Sequence, residues 1–234
     1  MMAENHVTSC KGSQIGPGCN EKQIVDSEMV KQNISALIDL YVNKVGNSSP
    51  KLTSFERRNI DFIAERLSND TLRPQLSPPI HRPAAAYWPT ILENIASEQG
   101  QAIGSILKRL TPYFKWKFHG SYNLQNCSQD FLNNFSLTEL VGEDGLCFSK
   151  QVTYGIFLIG PDTYYPMHCH DAAECLYVLS GRGTWRLAEG PTISLPPSST
   201  VFIPSGKAHA FWSFKDPMAA IYMCPGTTNS QIAE

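Results

Sequence analysis

Four side chains in two separated windows have the types and spacing to chelate a divalent ion. The first window reads His168-Cys169-His170-Asp171-Ala172-Ala173-Glu174, with Gly181 beyond it; the second reads Pro204-Ser205-Gly206-Lys207-Ala208-His209. Alternate residues of a strand share a face, so His168 and His170 project together and Glu174 rejoins them after a short irregular segment. Pro204 and Gly206 mark a turn before a strand containing His209, which brings a third imidazole across to the same point. Three neutral imidazoles and a carboxylate suit one divalent transition metal ion (Fe, Zn, Mn, Ni or Co) and leave coordination positions open for a substrate. A lone strand histidine is ordinarily a polar residue with a local partner. Half of the six histidines falling in these two windows is what singles out a site. Cys169 and Cys175 have the opposite parity to the donors and are read as facing away from them.

These donors need strands to carry them. From about Trp116 onward, short apolar or alternating segments are separated by Gly, Pro, Asn and Asp: 136–141, 152–159, 174–179, 184–187, 200–203, 208–214 and 219–224. Many short strands without intervening helices favour an antiparallel sandwich or barrel over a parallel sheet. The first half of the chain reads differently. Ile24, Met29, Ile34, Leu37, Ile38, Tyr41 and Val45 recur at near-helical spacing, with Gly46 and Asn47 as a stop. Thr53 and Glu56 form a capping-box pattern ahead of a second helical stripe of Phe55, Ile60, Ile63 and Leu67. Five prolines between residues 72 and 89 predict an extended connection carrying an exposed His81. Pro89 suits the first turn of a helix through Ile91, Leu92 and Ile95. Gly100 is expected to interrupt it before another helix that ends at Pro112. The expected division is a disordered tail over residues 1–20, a helical region over 21–112 and a β domain over 113–234.

Composition narrows the function classes. A net charge of -2 with scattered lysines and arginines, apart from Lys115-Trp116-Lys117, gives no nucleic-acid footprint. No apolar run is long enough for a bilayer span, and residues 1–20 lack a secretory pattern. Seven cysteines at irregular spacing do not form a disulfide framework, so a cytoplasmic location is expected. The expected partner is a small molecule, with no nucleic acid and no membrane, for a monomer or homodimer.

The two metal windows together resemble the signature of the cupin superfamily. A longer stretch, from about Leu110 to Gly226, is similar to the bacterial cupin-type dimethylsulfoniopropionate lyases. The likeness rests on Thr111-Pro112-Tyr113 with Trp116, Glu139-Leu140-Val141-Gly142, Gly155-Ile156-Phe157-Leu158 with Gly160-Pro161, Tyr165-Pro166-Met167-His168-Cys169-His170, Ala173-Glu174, Leu179-Ser180-Gly181 with Trp185, and Ala208-His209-Ala210. It implies a mainly-β chain with N-terminal helices (α+β), built on a single-domain cupin, an antiparallel β-barrel or jelly roll. It also implies a metal site of His168, His170, Glu174 and His209, and elimination of dimethyl sulfide from a sulfonium carboxylate to leave acrylate. Tyr165 matches the position of a proposed catalytic base. A phenol, with an unperturbed pKa of about 10, needs nearby positive charge to act as one at neutral pH.

A cationic sulfonium favours aromatic faces, which makes Tyr113, Tyr122, Trp185, Phe211, Trp212 and Tyr222 candidates for the substrate pocket. Lys207 is either a carboxylate partner or a solvated loop residue. Leu176 stands where the family carries a second tyrosine. Tyr177, one residue later, faces the other way unless a bulge intervenes. Ser198 replaces the glycine that opens the second cupin motif. Two other functions fit the same donors: an Fe(II)-dependent cupin dioxygenase, and a non-catalytic cupin binding a small carboxylate.

Overall fold

The computed structural model describes residues 21–48, 54, 57–58, 61, 65, 72–95, 97–226 and 230–233. The tail expected over 1–20 and most of the helix expected from Thr53 lie outside them, although Ser54, Arg57, Arg58, Asp61 and Glu65 are helical. Helix α1 spans Glu21–Ser48, running through the expected stop at Gly46. Its buried stripe is Val30, Ile34, Leu37, Ile38 and Tyr41, while Ile24 is exposed. The proline-rich connection is less extended than expected. Pro83–Tyr87 coil into a 3-10 helix that leads into α2, Trp88–Glu93. Helix α3, Glu98–Leu110, passes through Gly100; the break comes earlier, where Ser97 caps the helix by accepting from the Gly100 amide at 3.0 Å. Helix α4, Gln129–Asn134, was not expected, although Ser128 caps it in the same way. Among the described residues no helix is long and apolar enough to cross a membrane.

Among the described residues, twelve strands follow or flank these helices. They are β1 Arg73–Pro74, β2 Phe135–Gly142, β3 Cys147–Phe148, β4 Val152–Ile159, β5 Tyr164–Cys169, β6 Glu174–Ser180, β7 Gly183–Leu187, β8 Ile193–Leu195, β9 Thr200–Ile203, β10 His209–Ser213, β11 Met218–Pro225 and β12 Gln231–Ile232. Seven form one sheet in the order β1-β3-β2-β4-β11-β6-β9, and five form another in the order β12-β5-β10-β7-β8. Strand pairings are antiparallel except β2 with β3, and from β4 onward the chain passes back and forth between the sheets, apart from β7 and β8, in the manner of a jelly roll.

Period-two alternation gives the larger sheet two apolar faces. On one face Tyr154, Ile156, Cys175, Tyr177, Leu179, Ile221 and Met223 pack against Leu37, Tyr41, Trp88 and Leu107 of the helices. On the other Leu137, Phe157, Leu176 and Tyr222 meet Tyr165, Leu195 and Phe211 of the smaller sheet. The helical region and the β-structure therefore share one core, and the second core lies between the sheets. Ser198, in the glycine position of the cupin motif, has φ +68°, a conformation glycine adopts without strain.

Candidate metal centre

The donors reach the space between the sheets from both sides. His168 lies on β5, His170 just past its end, Glu174 at the start of β6 and His209 at the start of β10. His209 and His168 are directly paired across β10 and β5, with ring centroids 4.1 Å apart. The two ligand-bearing loops are tied together: the Gly206 amide donates to the His170 carbonyl at 2.9 Å, and the Ser205 hydroxyl donates to the Asp171 carbonyl. Gly206 takes φ +69° in the turn that delivers His209.

Each imidazole is oriented by the backbone two residues away. Nδ1 of His168 faces the Pro166 carbonyl at 2.8 Å, Nδ1 of His170 the Ala172 carbonyl at 2.7 Å, and Nδ1 of His209 the Lys207 carbonyl at 2.9 Å. A carbonyl only accepts, so Nδ1 carries the hydrogen of each neutral ring and the lone pair is left on Nε2. His170 Nε2 lies 3.2 Å and His209 Nε2 3.6 Å from the same Glu174 oxygen, Oε2. His170, Glu174 and His209 offer ligand atoms all within 4.8 Å of one another. His168 adjoins this trio through His209 and sits farther from His170, 6.3 Å between centroids. His209 Nε2 is buried with no hydrogen-bond partner in the protein. Lone pairs turned toward a carboxylate, one of them orphaned, are the arrangement a cation satisfies.

At His168 and His209 the charges agree with this geometry. Burial lowers the pKa of His168 and His209, keeping them neutral. Burial also pushes His170 down, but Glu174 beside its Nε2 outweighs this and raises it overall, favouring a second proton in the place a cation would take. Burial disfavours the Glu174 carboxylate, yet His170, His209 and His119 leave its pKa lowered, so it stays anionic.

A cavity of about 20 Å³ adjoins the donors, lined by His119, Phe135, Phe157, Tyr165, Phe211 and Tyr222 among others. That volume holds an ion or one water, so a larger ligand requires side chains to move. Tyr165 stacks on the His168 ring at 4.0 Å and 7°. Its hydroxyl meets that of Tyr122 at 2.8 Å, and Tyr122 in turn meets Ser230 Oγ at 2.7 Å.

The other expected pocket residues divide. Phe211 and Tyr222 line the cavity, and Tyr122 stands behind Tyr165. Leu176 is buried in the same inter-sheet core. Trp185 packs at the edge of that core and lines a separate hollow with Tyr164 and Trp212, which is half exposed. Tyr113 stands apart: it follows α3 in a 3-10 turn, packs against the helix-side core and bonds Asp26 of α1, so it is not a pocket residue. Lys207 is exposed. The register of β6 against β9 is unbroken from Glu174 to Tyr177, so no bulge turns Tyr177 inward. It packs edge-on to Tyr41 on the helix side. The polar lining residues His119 and Ser230 are absent from the sequence reading, as is the ring of Phe135. Neither His119 nor Ser230 lies in a periodic segment, and the only signal at His119 was its residue type.

The sequence model of the dimethylsulfoniopropionate lyase family matches residues 55–220. The chain belongs to that family. It is 27% identical over 157 residues to dimethylsulfoniopropionate lyase DddQ of Ruegeria pomeroyi, an alignment covering 67% of this chain and 77% of that protein. The crystal structure of DddQ from Ruegeria pomeroyi DSS-3 superposes with TM-score 0.69 at 23% identity, over 88% of this chain and 96% of that one. A chain from the crystal structures of DMSP lyases RdDddP and RnDddQII gives TM-score 0.69 at 22% identity, over 90% and 99%. Coverage of this extent shows that the helical region belongs to the shared fold along with the jelly roll.

Proposed function

We propose that this family member cleaves dimethylsulfoniopropionate to dimethyl sulfide and acrylate by β-elimination, using one divalent transition ion held by His168, His170, Glu174 and His209. The observation that carries the reading is the convergence of backbone-anchored His170 and His209 on the Glu174 carboxylate, with His168 beside His209 and a phenol stacked on the His168 ring. A divalent ion bound there supplies Lewis acidity toward a substrate carboxylate and the positive charge that favours a phenolate. Tyr165 takes the α-proton. The C–H electron pair becomes the new C=C π bond, and the Cβ–S pair leaves on sulfur as neutral dimethyl sulfide. Burial raises the Tyr165 pKa well above that of a free phenol, so the side chain cannot act as base at neutral pH without such a cation. Tyr122 and Ser230 hold its oxygen in place through the hydroxyl chain. Phe135, Phe157 and Phe211 present aromatic faces to the sulfonium. Five described cysteines are free thiols, and the proposal places the enzyme in the reducing cytoplasm.

The test is release of dimethyl sulfide from dimethylsulfoniopropionate by metal-loaded protein, compared with His168→Ala. Product at the level of that variant would reject the assignment, and oxygen consumption with thiols or diketones would move it to dioxygenase chemistry. One observation favours a second reading, a non-catalytic binder of small carboxylates: Leu176 puts no hydroxyl on the inner face of β6, and Tyr177 points away. Calorimetric binding of acrylate without turnover of the sulfonium would select it.

A further inference from the structure

Tyr222 is an inner-face phenol with its hydroxyl uncommitted. Cross-strand register places Glu139, Gly155, Tyr222, Leu176 and Val201 in one row across β2, β4, β11, β6 and β9. Directly opposed residues share a face, so the whole row looks into the space between the sheets. A Cβ at Gly155 would stand 2.7 Å from the Tyr222 hydroxyl and 2.8 Å from its Cζ, and would collide with the Thr138 carbonyl oxygen. The ring is therefore laid over Gly155 in space that only glycine leaves open. From there it lines the cavity shared with His168, His170 and Glu174.

The three inner phenols differ in how their hydroxyls are used. Tyr165 and Tyr122 bond each other, and Tyr122 also bonds Ser230. Among the described residues the Tyr222 hydroxyl makes no hydrogen bond, and it is not one of the fully occluded unpartnered atoms, so it keeps some open surface although the residue is only 5% exposed. A hydroxyl with no partner in the protein is free to donate to a bound acceptor. We propose that Tyr222 donates this hydrogen bond to the carboxylate of a small organic acid in the cavity, holding the acid against the His/Glu cluster. Burial, followed by the charges of Glu139, Cys224 and Glu174, raises the pKa of Tyr222 and keeps the proton on the oxygen. This site stands on the cavity and the row. Only the identification of the acid, as the sulfonium carboxylate and its acrylate product, rests on the proposed function.

The experiment is calorimetric titration of acrylate into metal-loaded wild type and Tyr222→Phe, with metal content, thermal midpoint and dimethylsulfoniopropionate kinetics measured on both. Removing a hydroxyl that bonds nothing in the fold is expected to leave metal content and midpoint unchanged. Acrylate affinity should weaken roughly ten- to hundredfold, the scale of one hydrogen bond to a charged group, and KM should rise more than kcat falls. Equal acrylate affinity in the two proteins overturns the proposal, as does absence of acrylate binding to wild type. A variant that melts early or fails to fold also overturns it, by showing that the hydroxyl serves the structure. Lack of dimethyl sulfide from wild type would sink the lyase reading alone, because the acrylate comparison still decides the role of Tyr222.

Discussion

The two faces of the seven-stranded sheet are built from the same strands and do opposite things. On β6, Cys175 and Tyr177 turn to the helices while Glu174 and Leu176 turn to the second sheet; on β11, Ile221 and Met223 oppose Tyr222. The helix side uses its aromatic rings for contact, as where Tyr41 lies edge-on to both Tyr154 and Tyr177. The inner side gathers polar atoms that the fold leaves unsatisfied. Among the described residues, the buried atoms without a partner include Tyr154 Oη on the helix side and His209 Nε2, which β10 of the second sheet brings to the inner side. Tyr154 is surrounded by apolar groups with nothing to share a ligand, whereas His209 has His168, His170 and Glu174 beside it. An unpartnered buried atom marks a site only where complementary donors surround it.

The comparison can be broken most severely at His209. His209→Ala is expected to abolish stable metal loading and bring dimethyl sulfide release to background while the fold survives, as read by elemental analysis, product assay and circular dichroism. Tyr165→Phe sharpens the distinction between holding an ion and moving a proton: metal content should stay at wild-type level while kcat falls roughly 10²- to 10⁴-fold, the usual contribution of a positioned general base. On the helix side the expected effect falls on stability. Leu37, fully buried, should cost about 2–5 kcal/mol in urea unfolding when changed to Ala, with kcat per folded molecule unchanged. A matching loss of kcat would show the faces to be coupled.

Acid should separate the faces more gently. His119, ordinarily near 6.5, is depressed to about 4, first by burial and against the pull of Glu174. A group whose folded pKa is depressed binds fewer protons in the native state, so its stabilisation is complete above about pH 6.5 and is lost as pH falls toward 4. His168 and His209 are lowered and act in the same direction, as does the lowered Glu174 at more acid pH. His170, raised, acts in the opposite direction. The thermal midpoint of metal-free protein should therefore fall between pH 7 and pH 4.5. A flat profile would mean that these imidazoles are not held neutral by burial.

Much of this was legible before any coordinates. The windows around His168 and His209 held the side chains that the fold brings together, and the texture after Trp116 located seven strands to within a residue or two. Failures occurred where the signal was weak or non-local. Tyr113 was a pocket candidate because its aromatic face suits a sulfonium, but a 3-10 turn after α3 sends it toward Asp26. Gly100 looked like a helix break, yet the Ser97 cap binds its amide and the helix runs on. His119 and Ser230 sit in segments without periodicity, and only chain crossings distant in sequence bring them to the cavity.

What the amino-acid order settled on its own is whatever depends on neighbours along the chain: which residues of a strand share a face, where turns fall, and that three imidazoles and a carboxylate occur at chelating intervals. Alternation and turn chemistry act over a few residues, so they can be read without the fold. Pairing β4, β11 and β6 to lay Tyr222 over Gly155 and opposite Leu176, and closing the ligand loops through the Gly206 amide, were decided only in three dimensions. These contacts join residues far apart in the chain, and their geometry follows from how two sheets pack around a common core.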